Sequence, residues 1–491
     1  MARTRPATSR LMERVWLGLE IGTQGVRAAF FDSGGMRLTA GRARRPPRSP
    51  EAGAMVHLPE VDWWEGAREA LTGALSSIGS GQIAGVGLAG LFPAVCLTSP
   101  DGSALSEGVL YGDRRSVSPT DSVVPSLMRL IRTLPDAALR DSIALGPAGY
   151  LGLRLTGAPS IDPYSASRWG ALLGAAGGTW DVGAAAELGV PAQMLPPIVA
   201  PGVLLGAVTA AASRATGLPE GVPVVAATTD SLATMLGSNV VRAGDALAYY
   251  GSTGTLLQVT MDLERALADP HAAGAATPYR RVAHASGSGL LAELVRREWL
   301  GGVDHATLNA EAAAVPSGSE GVMVVPYLSG RLLPTPTPGL RASVAGIGVG
   351  HGRGHLWRAV LESFGWVLMS APRDAPQGTS DIRHVTAAGG GSRSTVWRGI
   401  VSDMTGWPQS VAPIDATLRG AAFLAAQALS GAAFPQLAER WLGQPTDGGV
   451  AGPTTVALTA PDPAATERYR ALLPAWTRLV RALADSADGA P

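Results

Sequence analysis

The chain reads as an α/β protein made of two repeated halves, and three observations carry that prediction. First, Trp16–Ala40 has the two-residue period of an antiparallel meander. Leu17, Leu19 and Ile21 alternate with Trp16, Gly18 and Glu20 before Gly22-Thr23-Gln24-Gly25 turns the chain. Second, a hairpin of the same grammar recurs around Gly251-Ser252-Thr253-Gly254, 229 residues later (251 minus 22), a repeat of domain size. Third, segments of helical period separate the remaining short apolar strands, the alternation expected of an α/β fold.

Residues 1–14 hold Arg3, Arg5, Arg10 and Arg14 without an apolar signal core and read as a disordered tail. Val26–Phe31 and Met36–Thr39 complete the first meander, with Asp32-Ser33-Gly34-Gly35 as its second turn. Arg42–Pro50 is a basic, proline-rich connection. Val61–Ile78 is an amphipathic helix whose Trp63-Trp64 pair suits core packing. Short strands follow at Ile83–Leu88, Val95–Thr98 and Val109–Tyr111. Helices dominate from Val124 to Gly189, and a strand returns at Val203–Val208. In the second half, strands Leu247–Tyr250 and Leu256–Val259 flank the second tip. They are followed by a helix at Leu290–Leu300, a strand at Val322–Tyr327 and a proline-rich loop at Ser329–Pro338. The pattern closes with helix Gly354–Ser370, strand Ile382–Ala387, a helix from Thr395, the small-residue helix Arg419–Leu429 and a terminal helix Thr466–Leu483. The strand–turn–strand grammar restarts near Arg242, so domains are expected at 15–241 and 242–485.

With 491 residues the chain has room for two large domains. Its 39 basic residues balance its 39 acidic ones, which argues against a nucleic-acid or anionic-membrane partner. There is no lysine, so a Schiff base or a Walker-type phosphate lysine is excluded. The single cysteine, Cys96, rules out an internal disulfide framework and fits a reducing, cytoplasmic setting; it is expected as a small core residue. No apolar run reaches the length of a membrane span.

The chemistry concentrates between Pro223 and Thr255. Val224-Val225 reads as a strand end, Asp230 stands alone between Thr229 and the helix-like Ser231–Leu236, and the second glycine-hydroxyl tip follows. Backbone amides at such tips approach a phosphate closely, because glycine keeps side chains out of the way. The same residues are also ordinary turn formers, and Asp230 is also a good cap for the helix beginning at Ser231. Gly18 does not begin G-x-G-x-x-G, and a strand follows it, which disfavours a dinucleotide oxidoreductase; Walker A and G-x-S-x-G are also missing. A glycine triplet, Gly389-Gly390-Gly391, follows a strand. It is open to a tight strand-to-helix turn, with Ser392 or Ser394 as cap, or to a surface on which a flat ring can lie.

Taken in order, these motifs resemble the FGGY family of carbohydrate kinases from about Trp16 to Tyr469. The first tip resembles the family's phosphate-1 motif and the second its phosphate-2 motif. Thr228-Thr229-Asp230 matches the catalytic aspartate, and Ala388–Ser394 followed by Trp397-Arg398 matches the adenosine motif. Trp63-Trp64, Leu110–Arg115, Val325–Gly330 and Leu418–Ala422 match further segments. The resemblance implies two duplicated actin/hexokinase-like (ribonuclease H-like) domains flanking a nucleotide cleft, and a homodimer. It implies an ATP- and Mg²⁺-dependent kinase acting on a hydroxyl of a sugar, polyol or sugar-like metabolite.

By the same resemblance, Asp230 is the general base. Gly22, Thr23, Gln24, Gly251, Ser252 and Thr253 bind the ATP phosphates, and Gly389, Gly390, Gly391 and Ser394 the adenosine. Phe92, Pro93, Asp113 and Asp230 face the substrate, while Glu20 and Asp230 serve the metal. An internal ion pair or strand-end cap is the other reading of Asp113. Glu20 replaces the aspartate usual in the first strand. Leu91-Phe92-Pro93 replaces a polar run, and Arg331 replaces a common glutamate, a reversal that would favour an anionic substrate unless the arginine points outward. Glu20 and Leu91–Pro93 also motivate the alternative of a catalytically impaired nucleotide-binding protein with a regulatory or scaffold role.

Overall fold

A computed structural model of the chain describes residues 14–76, 78, 83–116, 122–269, 277–371, 382, 384–446, 449–451 and 458–488. The expected N-terminal tail lies outside these residues apart from Arg14.

The alternating first stretch forms three antiparallel strands, β1 (Val15–Gly22), β2 (Gly25–Phe31) and β3 (Arg37–Arg44). Glu20 lies opposite Arg27, and Gly22 opposite Gly25. β4 (Ile83–Gly90) runs parallel to β1, with Gly18 beside Gly87. The sheet continues through β6 (Pro223–Val225), parallel to β4, to the antiparallel edge strand β5 (Leu204–Ala207). Thr228-Thr229 pairs along the end of β4, beside Ala89 and Gly90. Helices cover both faces, which is why β1 is apolar at nearly every position rather than on one side only. Gly66–Leu75 packs on the β2–β3 side. Ala416–Ser430 lies against β1 and β4 so closely that a Cβ on Gly18 would sit 2.0 Å from the Leu418 carbonyl oxygen. Glycine at that position is a packing requirement.

A small antiparallel sheet of Val56–His57, Gly108–Leu110, Ala94–Thr98 and Ile143–Leu145 is inserted after the meander. Leu97, Leu127 and Trp169 contribute to a separate core above it, and Cys96 is fully buried as expected.

The second half repeats the meander as β7 (Ala246–Tyr250), β8 (Gly254–Val259) and β9 (Tyr279–Ala285), followed by parallel strands β10 (Val385–Ala388) and β11 (Gln409–Val411). The order β9-β8-β7-β10-β11 matches β3-β2-β1-β4-β6, so the duplication seen in the two hairpin tips extends to whole sheets. The strand β9 was not expected. The helix expected over Leu290–Leu300 divides into Gly289–Leu294 and a wider π-type turn, Val295–Trp299.

Contacts divide the chain into two compact units: Met1–Asn239 with Leu263–Thr277 and Ile414–Gln444, and Val240–Asp262 with Pro278–Pro413 and Pro445–Pro491. The small-residue helix from the C-terminal half thus belongs to the first unit, where Leu418, Ala421, Phe423 and Leu424 are buried.

Candidate active site

In the first unit, the carboxyl ends of β1 and β4 and the start of the helix Asp230–Gly237 lie together, because Ile21 and Thr229 both pair with Gly90. Open α/β sheets bind ligands at this end. The helix is capped by Thr229, whose Oγ1 accepts the Leu232 N–H at 3.1 Å. The cap is therefore not the duty of the Asp230 side chain, which is half-buried and accepts only a 3.3 Å hydrogen bond from Ser231 Oγ among the described side chains. Loss of hydration, and then the neighbouring Glu20 carboxylate, push the Asp230 carboxyl up to about 7, against Ser231 and Arg27, which pull it down.

Glu20 is 2% exposed and paired with Arg27 across the hairpin at 2.6 Å. Thr23 and Gln24 form the tip; Thr23 Oγ1 lies 3.4 Å from the hydroxyl of the exposed Tyr111. Gly22 pairs with Gly25, and a Cβ at Gly25 would strike the Ala43 carbonyl. Two carboxylates close enough to raise a pKa are a donor set that suits Mg²⁺, which takes one or two protein carboxylates and completes its shell from phosphates and water. Among the described residues no group of three or more acidic, histidine or cysteine side chains is arranged to hold a metal by itself.

Phe92 lines a small, partly open pocket together with Gly90, Leu91, Asp162, Ser165 and Ala227. Pro93 is adjacent in the chain. Asp113 is placed differently, with its carboxylate fully covered. It accepts the backbone N–H groups of Met55 and Arg115, both at 3.0 Å, and the Arg115 guanidinium at 2.6 Å. Burial pushes its carboxyl up, but hydrogen bonds from Arg115 and Met55 outweigh that and leave it below the usual carboxylate range. The ion pair with Arg115 and the two backbone N–H groups account for its hydrogen bonds among the described residues. Trp63 is wholly buried and packs edge-on against Tyr150, and Arg154 lies 4.3 Å over the Trp64 ring.

In the second unit, the Gly251–Thr253 tip and the glycine triplet come together because β7 runs parallel to β10, with Tyr249 beside Ala388. The tip is pinned from behind: the carbonyl of Gly251 accepts the Gly289 N–H at 2.8 Å, and that of Ser252 accepts the Ser288 and Leu290 N–H groups. Gly389 (φ +91°) could not carry a side chain, since its Cβ would lie 2.9 Å from the Tyr250 backbone. A Cβ on Gly390 would meet nothing within 4 Å, so the exposed backbone there presents an open face of the kind a purine ring can cover. Ser394 caps the helix Thr395–Thr405 by accepting the Trp397 N–H at 3.1 Å, while Ser392 Oγ donates back to the Gly389 carbonyl. Arg331 hydrogen-bonds its own loop, at the Thr335 carbonyl and Thr337 Oγ1.

Three supporting residues escaped the sequence reading. Counting outward from the first tip would have placed Arg27 opposite Glu20. The Asp-Pro step at Asp162-Pro163 is a helix-start signal that would have marked Asp162. Asn309, which donates to Ser394 Oγ at 3.2 Å and accepts from Trp357 Nε1 at 3.0 Å, carries no local signal.

The N-terminal domain model of the FGGY family of carbohydrate kinases matches residues 127–237, and its C-terminal domain model matches residues 243–429. The xylulose kinase of Bacillus subtilis (strain 168) is 22% identical over 416 residues, covering 79% of this chain and 83% of its own. The glycerol kinase of Alkalilimnicola ehrlichii is 28% identical over 457 residues, covering 84% and 90%. The crystal structure of xylulose kinase from Rhodospirillum rubrum superposes with a TM-score of 0.78 at 26% identity, over 97% of this chain and 100% of that one. The duplicated sheets are those of the actin/hexokinase-like fold. With both domain models matched in order, the chain belongs to the FGGY family of carbohydrate kinases.

Proposed function

We propose that this kinase transfers the γ-phosphoryl group of ATP to a hydroxyl of a sugar, polyol or sugar-like metabolite, with Asp230 as the general base. One observation carries the assignment of the base. Thr229 takes over the capping, which leaves a carboxyl poised near neutrality at the ligand-binding end of the sheet. A base with a pKa near the working pH combines availability with proton affinity, and such a group contributes roughly 10²–10⁴-fold.

In the proposed reaction the acceptor hydroxyl gives its proton to the Asp230 carboxylate as its oxygen bonds to the γ-phosphorus. The bond from that phosphorus to the β–γ bridging oxygen breaks, and ADP leaves. Magnesium, brought with the nucleotide, would be held by Glu20 and Asp230 and supplies neutralisation of the phosphoryl charge. Arg27 keeps Glu20 compensated and lowers the proton affinity of Asp230. In the second unit, the tip amides at Gly251–Thr253 would face phosphates and the open backbone at Gly390 the adenine. The glycerol, xylulose and autoinducer-2 kinases among the relatives are in keeping with a hydroxylated acceptor.

The test is ADP release from MgATP across ketoses, aldoses, polyols and cyclitols. The proposal expects release that depends on the acceptor and is lost in Asp230→Asn; equal release by both proteins would remove Asp230 from the mechanism.

A further inference from the structure

In the second unit, the turn that begins at the glycine triplet closes at Ser394, and the hydrogen bonds converging on that hydroxyl decide what it can offer a ligand. Helix His305–Ala314 packs against Arg353–Met369 and Thr395–Thr405 and brings Asn309 up to it. Asn309 accepts the Trp357 indole N–H through Oδ1 at 3.0 Å and donates to Ser394 Oγ through Nδ2 at 3.2 Å. An amide can turn either end to a neighbour, but an indole nitrogen is a donor only. The amide oxygen must therefore face Trp357 and the amide nitrogen Ser394. Trp357 is 1% exposed, so packing holds this end of the relay in place. Ser394 Oγ also accepts the Trp397 N–H at 3.1 Å as the cap of the next helix. A hydroxyl oxygen has two lone pairs and one proton. Both lone pairs are taken here, so the O–H is left to donate. Among the described residues nothing accepts that proton. Ser394 is only partly buried, in the same turn as the exposed Gly389 and Gly390.

We infer that Asn309 is a positioning residue for the nucleotide: by filling a lone pair of Ser394 it fixes that hydroxyl as a hydrogen-bond donor, so that the site reads a ring nitrogen of the purine. Without Asn309 the hydroxyl keeps a free lone pair and can present either a proton or an acceptor to the base. With Asn309 in place only the donor remains. A purine carries in-plane acceptors at N1, N3 and N7, which are the partners such a donor can meet at the edge of a ring lying over Gly390. A ligand with C–H at the atom being read leaves the donor desolvated and unpaired, a loss of about tenfold in affinity. The inference rests on the kinase reading for the identity of the ligand, but its consequence appears in binding alone.

The test is calorimetric binding, with magnesium and no acceptor, of ATP and of its 1-deaza, 3-deaza and 7-deaza analogues, each of which replaces one ring nitrogen by C–H. The wild type is expected to bind at least one analogue about tenfold more weakly than ATP. Asn309→Asp keeps an acceptor for the Trp357 indole and turns the Ser394 proton inward, because a carboxylate only accepts. A lone pair then faces the ring nitrogen, so the same analogue should bind at least as well as ATP. The added negative charge weakens ATP and analogue alike and cancels in their ratio, and a purely structural role for Asn309 would leave that ratio where it was. Should Asn309→Asp fail to fold, Trp357→Phe removes the N–H that fixes the amide, and the penalty should shrink to about threefold. A penalty unchanged in whichever variant folds would overturn the inference. So would three analogues that all bind the wild type as tightly as ATP, or no binding of ATP. ADP release across the acceptor panel separates this from the kinase proposal. The expected ratios without acceptor-dependent release would uphold Asn309 and count against the kinase, whereas acceptor-dependent release with all analogues equal to ATP would do the reverse.

Discussion

Replacing Asp230 by asparagine should slow the enzyme and stabilise the protein, and the second effect depends on pH in a way the structure specifies. The carboxyl titrates at about 7 in the folded chain, against an ordinary value of 3.8. At pH 3 it is protonated in both states and costs nothing. As pH rises between those values, the unfolded chain releases its proton while the folded chain retains it, so stability falls. Above 7 the full cost persists. The rise from 3.8 to about 7 sets a ceiling of about 4 kcal/mol, and water at a half-buried carboxylate reduces this to about 1–2 kcal/mol. Against it stands the favourable placement of a negative charge in the first turn of a helix, worth about 0.3–1 kcal/mol. Desolvation therefore wins by a small margin. Asp230→Asn should raise the melting temperature by a few degrees at pH 8, leave it unchanged near pH 3.5, and lower kcat roughly 10²–10⁴-fold. Thermal melts across that pH range, beside acceptor-dependent ADP release, make the check. A variant less stable than wild type at pH 8 would refute the buried-acid reasoning even if activity were lost.

Other expectations follow from single contacts. Arg27→Gln removes a positive charge that lowers the Asp230 pKa, so the acid limb of the pH–rate profile should move to higher pH, by up to about one unit. Gly390→Ala should leave the melting temperature alone while raising the KM for ATP, because its methyl meets only open space. Gly389→Ala should instead destabilise the fold by about 1–3 kcal/mol, since it adds a side chain at φ +91° against the Tyr250 backbone. Glu362, buried in the second unit, accepts from Arg358 Nε at 2.8 Å, Tyr469 Oη at 2.6 Å and the Gly318 N–H at 2.9 Å. Glu362→Ala leaves a buried guanidinium uncompensated and should cost about 3–5 kcal/mol by denaturant titration.

The hairpins were legible because their information is local: a two-residue period on each side of a glycine-bounded tip names both strands and their register. The strand β9 was not, because Tyr279-Arg280-Arg281-Val282-Ala283-His284 does not alternate cleanly between apolar and polar. Its arginines are accommodated by partners the sequence cannot show, such as Gln258, which accepts from Arg280 at 2.6 Å. The small-residue character of Arg419–Leu429 announced close packing but not its target. Only the approach of Gly18 to Leu418, and of Gly87 to Ala421, identifies the first unit's sheet. At the candidate site the motifs mark Asp230, and the structure sets it at the start of a helix beside the carboxyl ends of β1 and β4. Asp113 shows the limit of that approach, since the structure gives its carboxylate to Arg115 and Met55. The cap on Thr229 was equally hidden, because threonine and aspartate both suit that position and only geometry decides between them.

The most direct test of phosphoryl transfer to an acceptor hydroxyl follows labelled phosphorus from γ-labelled ATP in the presence of magnesium and a polyol or ketose. Phosphoryl transfer with Asp230 as the base should place label on the acceptor, in a one-to-one ratio with ADP, and leave little label on either acceptor or inorganic phosphate in Asp230→Asn. Label appearing only as inorganic phosphate, at the same rate with and without every acceptor tried, would contradict it.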